Sequence, residues 1–281
     1  MSSSGWRVLT YLTAIPVFIS STLSALYLPE SPRWLLSQGR TQDAEEVIAE
    51  VARVNDITLS PFRLKHVEHK ERYLKFDDFF SPQHVKLTIP LWIVWFCFGF
   101  SYYGVILFVN VVFEKHNDAD DGMVCDFDYA PIFYSACSEL IGLYLITLLI
   151  DDKGRVFTQT GSFVCAAIFV ALMGIHMAYA PLLIMSLLAR ASVIAAVATI
   201  WLAVPEYYPT EIRTSGHAAA SLVARFGAMI SPYCTESSHL SLFGIGLIIA
   251  MLNLIGAGAT TFLPETKGMF LLGVGMGVWV D

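Results

Sequence analysis

The chain has 281 residues, of which 56% are hydrophobic and 15% are charged, whereas an average soluble domain is about 45–50% apolar and about 25% charged. The apolar residues fall in long uncharged runs rather than on one face of amphipathic segments, which argues against a soluble domain. The net charge is −7 and no basic stripe alternates with aromatic residues, so nucleic-acid binding is disfavoured.

Seven runs are long and apolar enough to cross a bilayer, which takes about 20 residues in a helix. Each run is continuous rather than alternating, so its backbone polar groups can be satisfied only within a helix. We therefore predict an all-α membrane protein. The predicted spans one to seven are Val8–Leu28, Leu87–Phe113, Tyr129–Ile150, Val156–Ile175, Ala180–Trp201 with an extension to Val204, Thr214–Thr235 and Leu240–Leu263.

The distribution of Lys and Arg predicts the orientation, because short basic loops stay in the cytoplasm. Nine basic residues lie between spans one and two, and four more lie in loops on the same side. The other side has only Arg7 and Lys115. This excess of thirteen basic residues over two predicts an N-terminus outside the cell or in the lumen and a C-terminus in the cytoplasm. It does not distinguish the plasma membrane from a vesicle membrane.

The segment between spans one and two is predicted to be partly helical. Thr41 is a plausible N-cap, acidic residues follow it, and an apolar stripe continues to Asn55. This amphipathic helix could pack beneath the membrane helices or be a solvated linker helix, and the pattern does not decide between them.

Two span ends carry the same short sequence. Span one ends in Leu28-Pro29-Glu30-Ser31, and span seven ends in Leu263-Pro264-Glu265-Thr266. Repeated halves are typical of secondary transporters. If the two ends are equivalent, span one closes a first half whose earlier helices are absent, and spans two to seven form a complete second half.

Several motifs at the span ends and within the spans resemble one transporter family. They are Pro29-Glu30-Ser31-Pro32-Arg33, Phe100-Ser101-Tyr102-Tyr103-Gly104, Gly154-Arg155, Pro205-Glu206-Tyr207-Tyr208-Pro209-Thr210, Ala224-Arg225-Phe226-Gly227 and Leu263-Pro264-Glu265-Thr266-Lys267-Gly268. As a set, they resemble helices six to twelve of the organic-ion transporters in the major facilitator superfamily, in the group related to synaptic vesicle glycoprotein two.

The resemblance implies four segments. Residues 1–28 are the last helix of an otherwise missing N-terminal half, 29–86 are a cytoplasmic loop between halves, 87–268 are the C-terminal six-helix half, and 269–281 are an atypical apolar tail. It also implies a secondary transporter that works by alternating access. No Cys-His-Asp or Ser-His-Asp ordering stands out in the sequence, so we predict neither enzyme activity nor a cofactor.

Three ionisable residues lie inside predicted spans: Glu139, Arg190 and Arg225. Each is ten or eleven residues from a span end, so all three lie about 15 Å deep at 1.5 Å per residue. Charge at that depth is costly by a few kcal/mol or more, which makes these residues candidates for substrate binding. The resemblance implies that their spans line the central cavity, and it adds Tyr102 and Tyr103 of span two as candidates.

The roles of the three charges remain open. A guanidinium can bind a carboxylate or phosphate through two hydrogen bonds, and in the organic-ion relatives an Arg at the position of Arg225 accompanies anion carriers, so we favour a small organic anion or a zwitterion. Alternatively, Arg225 or Arg190 forms a structural ion pair with Glu139. Glu139 could instead take up a proton during transport, which would make protons a second partner.

The turn between spans three and four contains Asp151, Gly154 and Arg155. We predict that these residues form a gating clamp, in which the Asp caps a helix and pairs with the Arg, while the Gly permits the tight turn. A purely structural turn is the alternative.

The function predicted from the sequence is transport of small organic ions across a lipid bilayer by a chain that is incomplete without its N-terminal half. One alternative is a non-transporting half that pairs with and regulates a full-length relative. A seven-helix receptor is disfavoured because Asp-Arg-Tyr after span three and Asn-Pro-x-x-Tyr in span seven are absent. The five cysteines show no paired spacing, so we predict neither a disulfide framework nor a metal site.

Overall fold

The structure is a computed structural model that describes residues 5–58, 64, 80–82, 84–120, 130–208, 213–236 and 240–267. Within these residues the regular elements are α-helices and there is no strand, which confirms the predicted all-α class. The predicted apolar tail, 269–281, lies outside the described residues. The helices are α1 Gly5–Tyr27, α2 Pro32–Ser37, α3 Thr41–Val54, α4 Val85–Asp120, α5 Ala130–Lys153, α6 Arg155–Met173, α7 Tyr179–Tyr207, α8 Arg213–Thr235 and α9 Leu242–Thr260.

The described residues form two compact units, one within residues 1–71 and one within residues 72–272. In the first unit, α2 and α3 pack as a short helical hairpin around Leu35, Ala44 and Ala52. The prediction that Thr41 is the N-cap of α3 is wrong by one residue. The N-cap is Arg40, and Thr41 is the first helical residue.

The second unit consists of α4 to α9. Its core contains large side chains from α4, such as Trp95, Phe100 and Phe108, and α4 packs closely along α8 and α9. Glycines permit the approach to α8: a Cβ atom on Gly99 would overlap the carbonyl oxygen of Ala224, and one on Gly227 would overlap the carbonyl oxygen of Phe96.

Six described helices are long and apolar enough to cross a membrane: α1, α4, α5, α6, α7 and α9. The helix α8, which corresponds to predicted span six, does not meet the same hydropathy level. Its 23 residues include Arg213, His217 and Arg225 together with many small residues, so its surface is less apolar. The crossing of the membrane by α8 therefore stays a prediction.

Candidate functional site: an aromatic groove and two charge clusters

The three ionisable residues predicted to lie at one depth divide into a pair and a single arginine. Arg190 of α7 donates a hydrogen bond from Nε to Oε1 of Glu139 of α5 at 3.1 Å, and its Nη2 binds the same oxygen. Its Nη1 lies 3.4 Å from Oγ of Ser135, one turn before Glu139. Arg190 is 8% exposed, so this ion pair is largely withdrawn from solvent.

Close packing of α5 against α7 brings this pair together. Gly142 lies one turn after Glu139, and a Cβ atom there would overlap the carbonyl oxygen of Ala191 and lie 2.7 Å from Cγ2 of Ile194. The absence of a side chain at Gly142 therefore lets the two backbones approach until Arg190 reaches Glu139. Of the two arginines considered as partners of Glu139, the structure brings Arg190 to it.

Arg225 of α8 is exposed and has no ion pair among the described residues. It lines a groove of about 410 Å³ between α4, α7 and α8, which we call the aromatic groove. Among its lining residues, Arg225 is the one that carries a charge. The groove is lined by Trp95, Phe98, Gly99, Tyr103, Trp201, Ser221, Ala224, Arg225, Ala228 and Met229.

The two candidate tyrosines lie at different places. Tyr103 lines the aromatic groove, whereas Tyr102 lies within electrostatic range of both Glu139 and Arg190. Their rings contact each other edge to face, with centroids 5.4 Å apart. The two tyrosines therefore contact each other from adjacent positions of α4, and no ion pair joins Arg225 to Glu139 or Arg190 in the described part of the chain.

The wall of the groove contains aromatic residues that sequence reasoning missed. The ring centroids of Trp95 and Trp201 are 5.3 Å apart, and those of Trp95 and Phe98 are 5.5 Å apart. The spacing of Trp95, Phe98 and Tyr102 follows one helix face, so an aromatic stripe on α4 could have been predicted. The contact with Trp201 depends on how α7 packs against α4, and no local pattern indicates it.

A second group of charges surrounds the turn between α5 and α6, and we call Arg155, Glu206, Glu265, Thr266 and Lys267 the Arg155 cluster. Arg155 makes two hydrogen bonds to Glu206, each 3.1 Å long, and the hydroxyl of Thr266 donates to the same carboxylate. The predicted partner Asp151 is 79% exposed, and its Oδ1 lies 3.7 Å from Nη1 of Arg155. Asp151 is therefore at the edge of the cluster.

Glu265 caps the N-terminus of α6 from the other end of the unit's sequence. Its carboxylate accepts hydrogen bonds from the backbone N–H groups of Arg155 at 2.8 Å, Val156 at 3.0 Å and Lys267 at 3.0 Å. Partial burial acts to raise the pKa of Glu265, but the backbone donors outweigh it and hold the pKa below the usual range. The repeated Leu-Pro-Glu sequence had indicated this position without assigning its role.

Gly154 has a backbone conformation that favours glycine, with φ of +91°. A Cβ atom at this residue would also lie 2.6 Å from Oε2 of Glu265. Gly154 is therefore required both by the turn and by the approach of the Glu265 carboxylate.

Comparison with known proteins agrees with this architecture. The family model described as "Sugar (and other) transporter" matches residues 1–275. The chain is 32% identical over 287 residues to "Putative transporter svop-1" of Caenorhabditis elegans, covering 95% of this chain and 54% of that protein.

Two further relatives have the same pattern of coverage. "Synaptic vesicle 2-related protein" of Xenopus laevis is 29% identical over 95% of this chain and 52% of its own length. "Solute carrier family 22 member 1" of Sus scrofa is 30% identical over 95% of this chain and 47% of its own length. The chain thus spans about half the length of these relatives, and it belongs to the sugar (and other) transporter family of the major facilitator superfamily.

Proposed function

We propose that this chain forms one half of the central cavity of a secondary transporter for small organic anions or zwitterions. The observation that carries the proposal is the position of Arg225, which lines the aromatic groove without an ion pair among the described residues. The names of the relatives, which include transporters and a solute carrier, support transport in general.

The charge balance favours an anionic group. Glu139 and Arg190 neutralise each other, so the three charges predicted at one depth leave the positive charge of Arg225. Arg225 is exposed in this chain, but once the cavity closes over it a cation without a counter-ion would be unfavourable by several kcal/mol. A carboxylate or phosphate on the substrate would remove that cost, and the guanidinium can bind either group with two hydrogen bonds.

The aromatic wall favours a substrate with an apolar or aromatic body. Trp95, Phe98, Tyr103 and Trp201 surround the space in front of Arg225. Aromatic side chains bind flat apolar groups through large contact areas, and a few polar groups fix the orientation. A carboxylate next to a ring system would use both features of the groove.

The Arg155 cluster has the properties expected of a gate. It joins the start of α6 to the end of α7 and to the segment that follows α9 through charged hydrogen bonds at one end of the six-helix unit. We propose that this end faces the cytoplasm and that these bonds break and reform as the transporter alternates between its two states. We also propose that α8 crosses the membrane beside α4, and that residues outside this chain supply the opposite cavity wall.

The test uses the longest natural polypeptide that contains this sequence, called the full-length protein below, reconstituted into liposomes. We expect counter-flow with organic anions such as benzoate, weakening with Arg225→Lys and loss with Arg225→Ala. Arg53→Ala is the matched control, because Arg53 is an exposed arginine of α3 that is paired with Glu50.

Two results would contradict the proposal. One is a panel in which organic cations compete and organic anions do not. The other is counter-flow that Arg225→Ala leaves unchanged, since Arg225 would then have a structural role. In the same assay, we expect no saturable flux from the 281-residue chain alone, because a second cavity wall is needed.

A further inference from the structure

His217 of α8 lies against two residues of the aromatic groove that belong to different helices. Its ring centroid is 5.3 Å from that of Trp95 in α4 and 4.9 Å from that of Trp201 in α7. Its Nδ1 atom is buried and makes no hydrogen bond within the described part of the chain, and the same is true of Nε1 of Trp95. A half-buried imidazole thus packs against the two indoles that line the groove.

The spacing along α8 connects His217 with the proposed anion-binding residue. His217, Ser221 and Arg225 follow one another at intervals of four residues, so they share one face of the helix. Ser221 and Arg225 line the groove. At 1.5 Å per residue, His217 lies about 12 Å along the helix from Arg225.

We propose that His217 is the proton-binding site of this transporter and that it takes up a proton when an organic anion occupies the groove. This inference rests on the proposed anion transport. It identifies the proton as the coupling ion and His217, on the groove-lining face of α8, as the residue that carries it.

The charges around His217 explain why the proton should arrive together with an anion. Along the helices that contact His217, the nearest charged side chains of the described residues are three cations and one carboxylate: Arg213 and Arg225 of α8, Lys86 of α4 and Glu206 of α7. The carboxylate is occupied by Arg155 and Thr266. The nearest cysteine and tyrosine side chains on these elements are Cys97, Tyr102 and Tyr103 of α4, Tyr207 of α7 and Tyr208, which donates its hydroxyl hydrogen to Thr88.

A bound anion supplies the negative charge that these surroundings lack. Without it, a protonated imidazole beside the groove has cationic neighbours on its own helix, Arg213 and Arg225. With it, the positive charge is balanced, and the indole rings of Trp95 and Trp201 lie within the range of about 6 Å at which aromatic rings stabilise a cation. Because binding free energies are reciprocal, protonation of His217 raises the affinity for the anion by the same factor.

Glu139 is less suited to this role, although its sequence position made it a candidate. It already accepts two hydrogen bonds from Arg190. Protonation of Glu139 would leave the largely buried guanidinium of Arg190 without a counter-ion, and this costs free energy. Among the described residues, His217 is in no ion pair that protonation would break.

The test measures binding of radiolabelled benzoate to the full-length protein in nanodiscs at about pH 5.5 and about pH 8, on either side of the usual imidazole titration. Benzoate is ionised at both values. We expect at least about tenfold tighter binding at the lower pH, which corresponds to a shift of about one unit in the linked pKa. His217→Gln and His217→Asn should bind benzoate equally at both pH values, whereas the control His176→Gln should keep the difference.

A second measurement covers the case in which both His217 variants fail to fold. A protonated imidazole quenches neighbouring indoles, so the tryptophan emission of the wild-type protein should fall as the pH is lowered. Benzoate should move that transition to higher pH. Emission that shows no such transition with benzoate bound would overturn the inference.

The outcomes separate this inference from the proposed function. Benzoate binding that is equal at both pH values but lost in Arg225→Ala overturns the role of His217 and leaves anion binding intact. Retention of the pH dependence in both His217 variants also overturns it. Binding that survives Arg225→Ala, or no benzoate binding at either pH, overturns the anion site and the inference with it.

Discussion

Arg190 and Arg225 look equivalent in the sequence, since each is a single arginine in the middle of a long apolar or small-residue run. The structure separates them by their partners: Arg190 binds Glu139 and Ser135, whereas Arg225 faces the aromatic groove. The depth of each residue follows from counting along a helix. The choice of partner depends on which faces of α5 and α7 meet, and the close packing at Gly142 determines this. A glycine in the sequence does not indicate which arginine will pair with Glu139.

The Glu139–Arg190 pair predicts a specific pattern of stability. Arg190→Ala should lower the free energy of unfolding by somewhat less than the about 3–5 kcal/mol typical of breaking a buried pair, because the Glu139 side chain is 21% exposed. The double variant Glu139→Ala/Arg190→Ala should recover part of the loss, since no buried charge is then left alone. Thermal unfolding of the purified chain in detergent measures both effects.

The control for this prediction is Arg225→Ala, which should leave the melting temperature close to that of the wild type. Arg225 is exposed and has no ion pair in the described residues. A normal melting temperature for Arg190→Ala together with a large decrease for Arg225→Ala would reverse the two assignments.

At the scale of the helices, the apolar runs of the sequence predicted that each long helix exists, but they did not predict where every helix ends. Each predicted span overlaps one long helix, and α4 continues to Asp120, seven residues beyond the predicted end at Phe113. The end of α4 is polar, so an apolar run could not indicate it. In the same way, Glu265 caps α6 across 110 residues of sequence, and only the fold brings the carboxylate to that helix end.

The packing of α4 against α8 predicts opposite effects for two chemically identical substitutions. Gly227→Ala should destabilise the unit by about 1–3 kcal/mol, because its Cβ would overlap the carbonyl oxygen of Phe96. Gly161→Ala in α6 has open space around the new Cβ and should stabilise by about 0.5–1 kcal/mol, the usual helical gain of Ala over Gly. Thermal unfolding of the two variants should shift in opposite directions, and a shift of equal sign would show that this interface does not limit stability.

The cap on α6 predicts a pH-dependent contribution from Glu265. Its pKa is lower in the folded than in the unfolded state, so its stabilising contribution is present above the usual carboxyl pKa of about 4.3. The contribution is lost as the pH falls through the lowered value. Glu265→Gln should therefore melt below the wild type at neutral pH, and the difference should shrink under acid conditions below about pH 4.

The control for the cap is Glu236→Gln at the end of α8. The carboxylate of Glu236 has no hydrogen-bond partner among the described residues, so its replacement should leave the melting temperature at neutral pH close to that of the wild type. A difference between wild type and Glu265→Gln that stays constant across the acid range would mean that the charge of Glu265 does not matter.

For the whole molecule, family membership supports the transporter interpretation over a seven-helix receptor, although both have seven predicted spans. The evidence that separated them in the sequence was local: the motifs at the ends of spans and the repeated Leu-Pro-Glu sequence. The groove could not be predicted in this way, because its wall combines α4, α7 and α8 and its lining residues are spread from Trp95 to Met229.

The orientation of the whole molecule in the membrane remains a prediction from its charges. Thirteen basic residues lie in loops on one side of the predicted spans and two on the other, and basic loops are retained in the cytoplasm during insertion. We therefore expect residues 29–86, the Arg155 cluster and the C-terminus to face the cytoplasm. A glycosylation sequon placed between Pro29 and Lys86 should stay unmodified in cells, whereas one placed between Asp120 and Ala130 should be glycosylated. Modification of the first site and not the second would show that the topology is the reverse of the one predicted. The Arg155 cluster would then form the external gate instead of the cytoplasmic one.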